Sequence, residues 1–155
     1  MVKKVFLEEV IDREGLKKFL SGIRQLSGLN LIPVNERGEP FFGNIYELFE
    51  NGEVPDFLSL SLKDNITRSD GAVVKVIRLE HSKNLFGLVL VGPFFPAEKA
   101  GKKGYGGFPK ISSDRLKTTI EIVEQFFTQQ VEVAMEHDSL RRKEKILSVL
   151  EEASN

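Results

Sequence analysis

The sequence predicts an α+β domain: an antiparallel sheet with helices on one face, a helix near the N-terminus and a long helix at the C-terminus. Three observations predict this class. Two Val- and Ile-rich runs, 72–81 and 85–91, are joined by a short polar turn, which is typical of a β-hairpin. Strands and helices do not alternate along the chain, as a parallel sheet would require. After Ser112, apolar residues recur at helical spacing almost to the end of the chain.

The first predicted helix begins at Arg13 and ends at Gly28. Asp12 is a favoured N-cap residue, and glycine is the usual residue just beyond a helix C-terminus because it tolerates a left-handed backbone. One face of this helix is apolar, which predicts that it packs against the sheet. The residues on that face are Leu16, Phe19, Leu20, Ile23 and Leu26.

The segment that follows predicts two strands, 29–34 and 39–42, joined by an Asn- and Gly-containing turn. The middle of the chain is less regular. Residues 45–49 predict one or two helical turns. Residues 57–62 alternate apolar and polar, which favours a strand but leaves a helix open.

The hairpin is the clearest β signal in the sequence. Its second run contains few charges, so we expect a central strand that is covered on both faces, closed by Gly92 and Pro93. The glycine- and lysine-rich segment 96–109 then predicts a surface loop, with a lid or an anion contact over a pocket as the alternative. It lacks the Lys-Ser/Thr ending that a phosphate-binding loop needs.

The last helix is predicted to begin behind Ser112 or Ser113 and to continue to about Glu152. At 1.5 Å per residue it spans roughly 60 Å, about twice the diameter of a domain of this size. A dense apolar stripe in its first half predicts that this half packs on the sheet and also starts a dimer interface. The stripe consists of Leu116, Ile120, Val123, Phe127, Val131 and Ala134. A sparser, more charged second half predicts a two-stranded coil: Leu140, Ile146, Leu147, Val149 and Leu150. We therefore expect a globular domain over 1–136 and the start of a coiled-coil helix over 137–155.

Composition narrows the function classes. Lys and Arg number 22 and Asp and Glu number 23, so no broad attraction to nucleic acid or to an anionic membrane is expected. The chain has no cysteine, which excludes disulfides and thiolate metal sites and fits a cytoplasmic protein. No nucleophile elbow or converging acid–base pair is visible, so we expect neither catalysis nor a cofactor.

A binding pocket is the remaining prediction. Aromatic residues cluster after the first strand pair and around the Gly92–Pro93 break, and such clusters can line an apolar cavity. An arginine inside the first hairpin strand could hold an acidic ligand group or face water. The predicted ligand-binding residues are Phe41, Phe42, Tyr46, Arg78, Phe86 and Phe94. Whether His81 or the Gly/Lys-rich loop contacts the ligand is left open.

Three stretches together resemble the PocR-type sensory domain, a PAS-like module of prokaryotic signalling proteins. They are residues 11–31, residues 84–94 with their glycine turn, and residues 111–127 at the start of the last helix. The resemblance implies a PAS-like sheet, a small and hydrocarbon-derived ligand, and fusion to a kinase, a cyclase or a transcription regulator, as in two-component systems. Residues 44–68 contain no cysteine, unlike many members of that family, which argues against a cysteine-based pocket.

The sequence thus favours a small-molecule-sensing input domain that forms a homodimer through its C-terminal helix, with the output domain outside this chain. Two alternatives belong to other classes. One is a dimerisation module with a PAS-like fold that binds no ligand. The other is an enzyme acting on a small acid, which would use Arg78 and His81.

Overall fold

The computed structural model describes residues 7–49, 53–97 and 108–154, and within the last helix it places the side chains of 113–136 and 145–147. Four α-helices and five strands are present in these residues, so the α+β class is confirmed. The helices are α1 (Leu7–Val10), α2 (Arg13–Ser27), α3 (Phe57–Ser61) and α4 (Ser113–Ser154), with a 3₁₀ helix over Ile45–Leu48. The strands are β1 (Leu31–Asn35), β2 (Asn65–Thr67), β3 (Val73–His81), β4 (Asn84–Pro96) and β5 (Lys110–Ile111).

The sheet has the order β1–β4–β3–β2, with neighbouring strands antiparallel. The short strand β5 adds to the end of β4 in parallel. Strand β4 lies at the centre, and its residues from Phe86 to Phe95 are all buried. This confirms the prediction of a central, covered strand.

Strand β4 does not close at Gly92 and Pro93 as the sequence predicted. It continues to Pro96, because Phe94 pairs with Val73 on β3 and the Phe95 N–H donates to the Pro109 carbonyl at 2.8 Å. Gly92 has φ +140°, which only glycine adopts easily, so the chain can turn at this point without leaving the sheet.

The predicted strand over 39–42 was also wrong. It is reduced to a single bridge between Val34 and Pro40. Two backbone hydrogen bonds flank this bridge, from the Asn35 N–H to the Glu39 carbonyl and from the Phe41 N–H to the Pro33 carbonyl, each 2.9 Å long. Pro33 has no N–H with which to return a bond to residue 41, so the ladder does not extend further along β1.

Helices cover both faces of the sheet, not one as predicted. On the first face α1, α2 and α4 pack against Leu31, Ile77 and Val89. On the second face the 3₁₀ helix and α3 form a separate core over β1, β3 and β4. Residues 57–61 are helical because the Asp56 carboxylate accepts the Ser59 N–H at 2.7 Å, an N-cap that the alternating pattern concealed.

The predicted ends of the longer helices are confirmed. The Asp12 carboxylate accepts the Gly15 N–H at 3.1 Å at the start of α2, and Gly28, with φ +74°, closes it by donating its N–H to Arg24. At the start of α4, the Ser112 hydroxyl accepts the Arg115 N–H at 3.3 Å.

The first half of α4 packs on the sheet through the predicted stripe. Val123, Phe127 and Val131 are buried, and the Phe127 ring meets Phe86 of β4 edge to face at 5.6 Å between centroids. Leu116, Ile120 and Ala134 pack at the margins of the same core. Ala134 is the last α4 residue to reach this core among the described side chains. The helix then continues for a further 20 residues, or about 30 Å at the usual rise.

Candidate functional site

A cavity of about 320 Å³ lies between the C-terminal end of α2 and the first turns of α4. This volume is at the lower end of the range for small-molecule sites, roughly 300–1,000 Å³. Its walls are mostly apolar, and charged side chains occur only at the rim. The lining residues are Ile23, Leu26, Ser27, Leu29, Ile111, Asp114, Arg115, Thr118, Thr119 and Ile122.

The cavity is apolar because its inner hydroxyl groups are already bonded within the helices. The Ser27 hydroxyl donates to the Ile23 carbonyl at 2.7 Å and accepts the Leu29 N–H at 3.1 Å. The Thr119 hydroxyl donates to the Arg115 carbonyl at 2.9 Å. These groups therefore demand no polar partner from an occupant, and the site suits a compact molecule with an apolar body.

The rim adds two exposed charges of opposite sign, Asp114 and Arg115. Either can hydrogen-bond a polar group at the outer end of an occupant. Five of the ten lining residues belong to α4, so any molecule in this cavity touches the helix that leaves the domain. The geometry therefore permits a small molecule to bind in the cavity and to act on α4 by direct contact.

A second cavity, of about 420 Å³, lies between the edge of β3 and α4 and is strongly polar. Arg78 lines it, but its guanidinium is already committed. It donates to the Ser61 carbonyl at 2.7 Å, to the Asp64 carboxylate at 3.0 Å and to the Lys63 carbonyl at 3.3 Å. Arg78 thus ties β3 to the segment after α3, a structural role that the sequence did not indicate.

The same guanidinium affects the neighbouring carboxyl group. The hydrogen bond from Arg78, helped by the nearby charge of Lys75, holds the pKa of Asp64 below its ordinary value. Because Asp64 is well exposed, solvent screens much of this interaction.

The structure places the predicted aromatic residues in different environments, some buried in the core and one exposed. Phe41, Phe86 and Phe94 are buried together in the core between the sheet and α2 and α4, and Phe42 packs at its margin. Tyr46, by contrast, is 63% exposed on the 3₁₀ helix. None of these five side chains lines either cavity. A ligand-binding role for them and for Arg78 stays a prediction.

The residues that line the α2–α4 cavity were not predicted as a site. Leu26 was assigned to the apolar face of its helix, yet it is 88% exposed. Ile122 was left off the apolar stripe of the last helix, and its position beside that stripe was the available signal. Leu29 was assigned to a predicted strand and Ile111 lies just before the Ser112 cap, and nothing in the sequence brings the two together.

The structure adds little support for a ligand contact by His81 or by the Gly/Lys-rich loop. His81 is partly exposed, with Nδ1 3.3 Å from the Ser82 hydroxyl oxygen. Within the described ranges no three His, Asp or Glu side chains are grouped as metal ligands. Most of the Gly/Lys-rich loop lies outside the described residues. In the part of the chain that is described, no helix combines the length and apolarity needed to cross a membrane.

The α2–α4 cavity and the projecting part of α4 are therefore the features on which a function can be proposed. Comparison of the chain with protein-family models, with curated proteins and with solved structures gives no match.

Proposed function

We propose that this domain is a small-molecule-sensing input module of a prokaryotic signalling protein, and that α4 passes the ligand state to an output domain. One observation carries the proposal: α4 lines the cavity, forms part of the core and continues beyond it. A change at the cavity therefore acts directly on the element that leaves the domain.

In this proposal the ligand lies between α2 and α4. Ile23, Leu29 and Ile122 contact its apolar body, and Arg115 or Asp114 bonds a polar end. A compact, hydrocarbon-derived molecule fits both the volume and the lining. For signalling, the ligand must bind two packings of α4 unequally, and a coupling of about 1–3 kcal/mol is usual.

The architecture supports the resemblance to PocR-type, PAS-like sensors. An antiparallel sheet is flanked by a capped helix before β1 and a long helix after β5. The proposed homodimer through the C-terminal helix is supported by Ile146 and Leu147, which are 60% and 59% exposed beyond the core. Leu140, Val149 and Leu150 belong to the same predicted coil, and their side chains lie outside the described set.

A thermal-shift screen of the purified chain against small alcohols, diols, short acids and aromatics tests the proposal. A ligand at 100 times its dissociation constant adds about 2.7 kcal/mol of stability, which raises the midpoint by several degrees. The variant Ile122→Trp fills the α2–α4 cavity and should abolish the shift. Phe42→Ala should retain it. The reverse result would move the ligand to the predicted aromatic cluster.

A ligand-free dimerisation module is the second candidate. It is favoured by one observation: Phe41, Phe86 and Phe94 fill a packed core and enclose neither cavity. A screen without any hit, on protein that is folded and dimeric, would favour this candidate over the sensor.

A further inference from the structure

We propose that the exposed apolar side chains of α2 and α4 form an interface with a second copy of this chain, arranged in parallel, which closes the mouth of the α2–α4 cavity. We call this surface the α2–α4 face. It comprises the exposed side chains of Leu26, Ile122, Val133 and Leu147, together with the half-buried Phe126. The interface does not depend on whether the cavity holds a ligand, so it goes beyond the proposed sensor.

The apolar stripe of α4 that the sequence assigned to a dimer is not accessible to a partner beside the domain. Val123, Phe127 and Val131 of that stripe are 2%, 2% and 0% exposed, because they pack against the chain's own sheet. A side chain buried inside its own domain has no surface left for a partner. Any pairing of α4 near the domain must therefore use another side of the helix.

A second apolar stripe runs beside the first. Ile122 is 44% exposed and Val133 is 62% exposed, while Phe126 between them stacks on Phe19 of α2 at 3.9 Å. Positions 126, 133, 140 and 147 are seven residues apart and are Phe, Val, Leu and Leu. Seven-residue spacing is that of one of the two seam positions in a paired helix, and the second seam position, at 129, 136 and 143, is polar. The stripe therefore predicts a narrow contact along α4, to which Leu26 of α2 adds beside the domain.

Helix α2 extends this stripe sideways. Leu26 is 88% exposed, the highest value among the large apolar side chains of the described residues. It shares the lining of the α2–α4 cavity with Ile122, so the cavity mouth lies within the α2–α4 face. A partner seated on this face covers the mouth.

The available area is sufficient for a dimer. Burying one aliphatic side chain completely removes on the order of 100 Å² from water, so the five partly exposed side chains offer about 300 Å² per copy. Interfaces are a little over half apolar, which makes this equivalent to about 1,000 Å² over both copies. That is the lower limit for a specific interface, to which the rest of the projecting helix adds.

The chemistry favours a second copy over other partners. Glu121 and Glu132 flank Ile122 and Val133 and are exposed, which disfavours nucleic acid and anionic membranes. At the cavity mouth, Asp114 and Arg115 offer both signs of charge, as a two-fold interface needs to complement itself. Leu26 of α2 and Ile122 of α4 line the same cavity, at the domain end of α4. An antiparallel pair could bring two such faces together only if it were centred near Ile122, which would leave Leu147 without a partner. A parallel pair brings together both the α2–α4 faces and the projecting halves of α4.

Disulfide cross-linking tests this interface cleanly, because the chain has no cysteine of its own. Val133→Cys should form covalent dimers within minutes of mild oxidation in dilute solution. The control is Leu62→Cys, which lies after α3 and is 75% exposed, more than Val133. If the two variants cross-link at equal rates, the interface is excluded. A disulfide between Val133→Cys and Leu147→Cys chains that outpaces the Val133→Cys homodimer would overturn the parallel arrangement.

A charge substitution gives an independent measurement. Leu26→Glu should raise the dimer dissociation constant at least tenfold in sedimentation equilibrium, whereas Leu62→Glu should leave it unchanged. An unchanged constant for Leu26→Glu would remove α2 from the interface. Cross-linking of Val133→Cys together with a ligand screen that gives no hit would retain the interface and reject the sensor. A ligand hit together with no cross-linking of Val133→Cys would reject the interface and retain the sensor.

Discussion

Gly87 shows how one residue can determine the packing of three elements. It lies in β4, where β1 and α1 both approach its α-carbon closely. A methyl group added there would collide with the Val34 carbonyl oxygen and would lie 3.1 Å from a Leu7 methyl. Neither the strand backbone nor the buried Leu7 can move aside easily, so only glycine fits.

The expected consequence is a large loss of stability in Gly87→Ala. We expect a decrease of about 2 kcal/mol or more in the free energy of unfolding, measured by urea denaturation, because the overpacked strand must shift. The matched control is Gly22→Ala on α2, where an added methyl meets nothing within 4 Å. That variant should gain about 0.5–1 kcal/mol, since alanine favours the helix. Equal effects of the two substitutions would contradict this account.

At the scale of elements, the packing on the two faces of the sheet differs in kind. The face toward α2 and α4 is held by large apolar side chains, including the Phe86–Phe127 ring contact. The face toward α3 adds a polar link, in which Arg78 of β3 holds the backbone carbonyls of Ser61 and Lys63 and the Asp64 carboxylate. The position of α3 therefore depends partly on a charge.

This link makes a prediction about pH. The pKa of Asp64 is lowered in the folded state, so its charged form stabilises the fold above the unfolded-state pKa, and this contribution is lost as the pH falls through the folded-state pKa. Asp64→Asn should therefore be less stable than the wild type at neutral pH and equal to it in acid. Urea denaturation of both proteins, from neutral to acid pH, measures this difference in stability. In Arg78→Met, the same Asp64→Asn substitution should have a smaller effect, and an unchanged effect would rule out the link.

At the scale of the whole molecule, α4 belongs to two structures. Up to Ala134 it is part of the domain core, and beyond that point the described residues Ile146 and Leu147 are exposed. In proteins, packing of an apolar face supplies most of the stability of a helix, and the described side chains in the projecting part of α4 have no such packing within their own domain. A partner helix is the simplest source of that packing.

A chain ending at Glu136 separates the two roles of α4. It should keep the far-UV circular dichroism of a folded domain, because every α4 residue in the core is retained. Its dimer dissociation constant should rise at least tenfold, since Leu147 and the heptad positions around it are removed. A truncated chain that dimerises as tightly as the full chain would contradict the role of the projecting helix. Loss of the fold would contradict the boundary at residue 136.

The elements that the sequence predicted correctly are those with local signals. Asp12 and Gly28 mark the ends of α2 through bonds within their own turns, and the runs on either side of Ser82 and Lys83 mark the hairpin. The stripe of α4 that packs on the sheet repeats at helical spacing, so it was visible as well. Each of these features depends on residues within a few positions of one another, and a sequence displays such distances directly.

The α2–α4 cavity, the second covered face and the role of Arg78 were decided only by the tertiary structure. Leu29 and Ile111 are more than eighty residues apart in the chain and line one cavity, and Arg78 binds carbonyls 15 and 17 residues away. By itself the sequence determined the α+β class, the central strand and the long helix. Which apolar side chains fill the core and which remain exposed follows from contacts between distant segments, because packing joins residues by position in space and not by spacing along the chain.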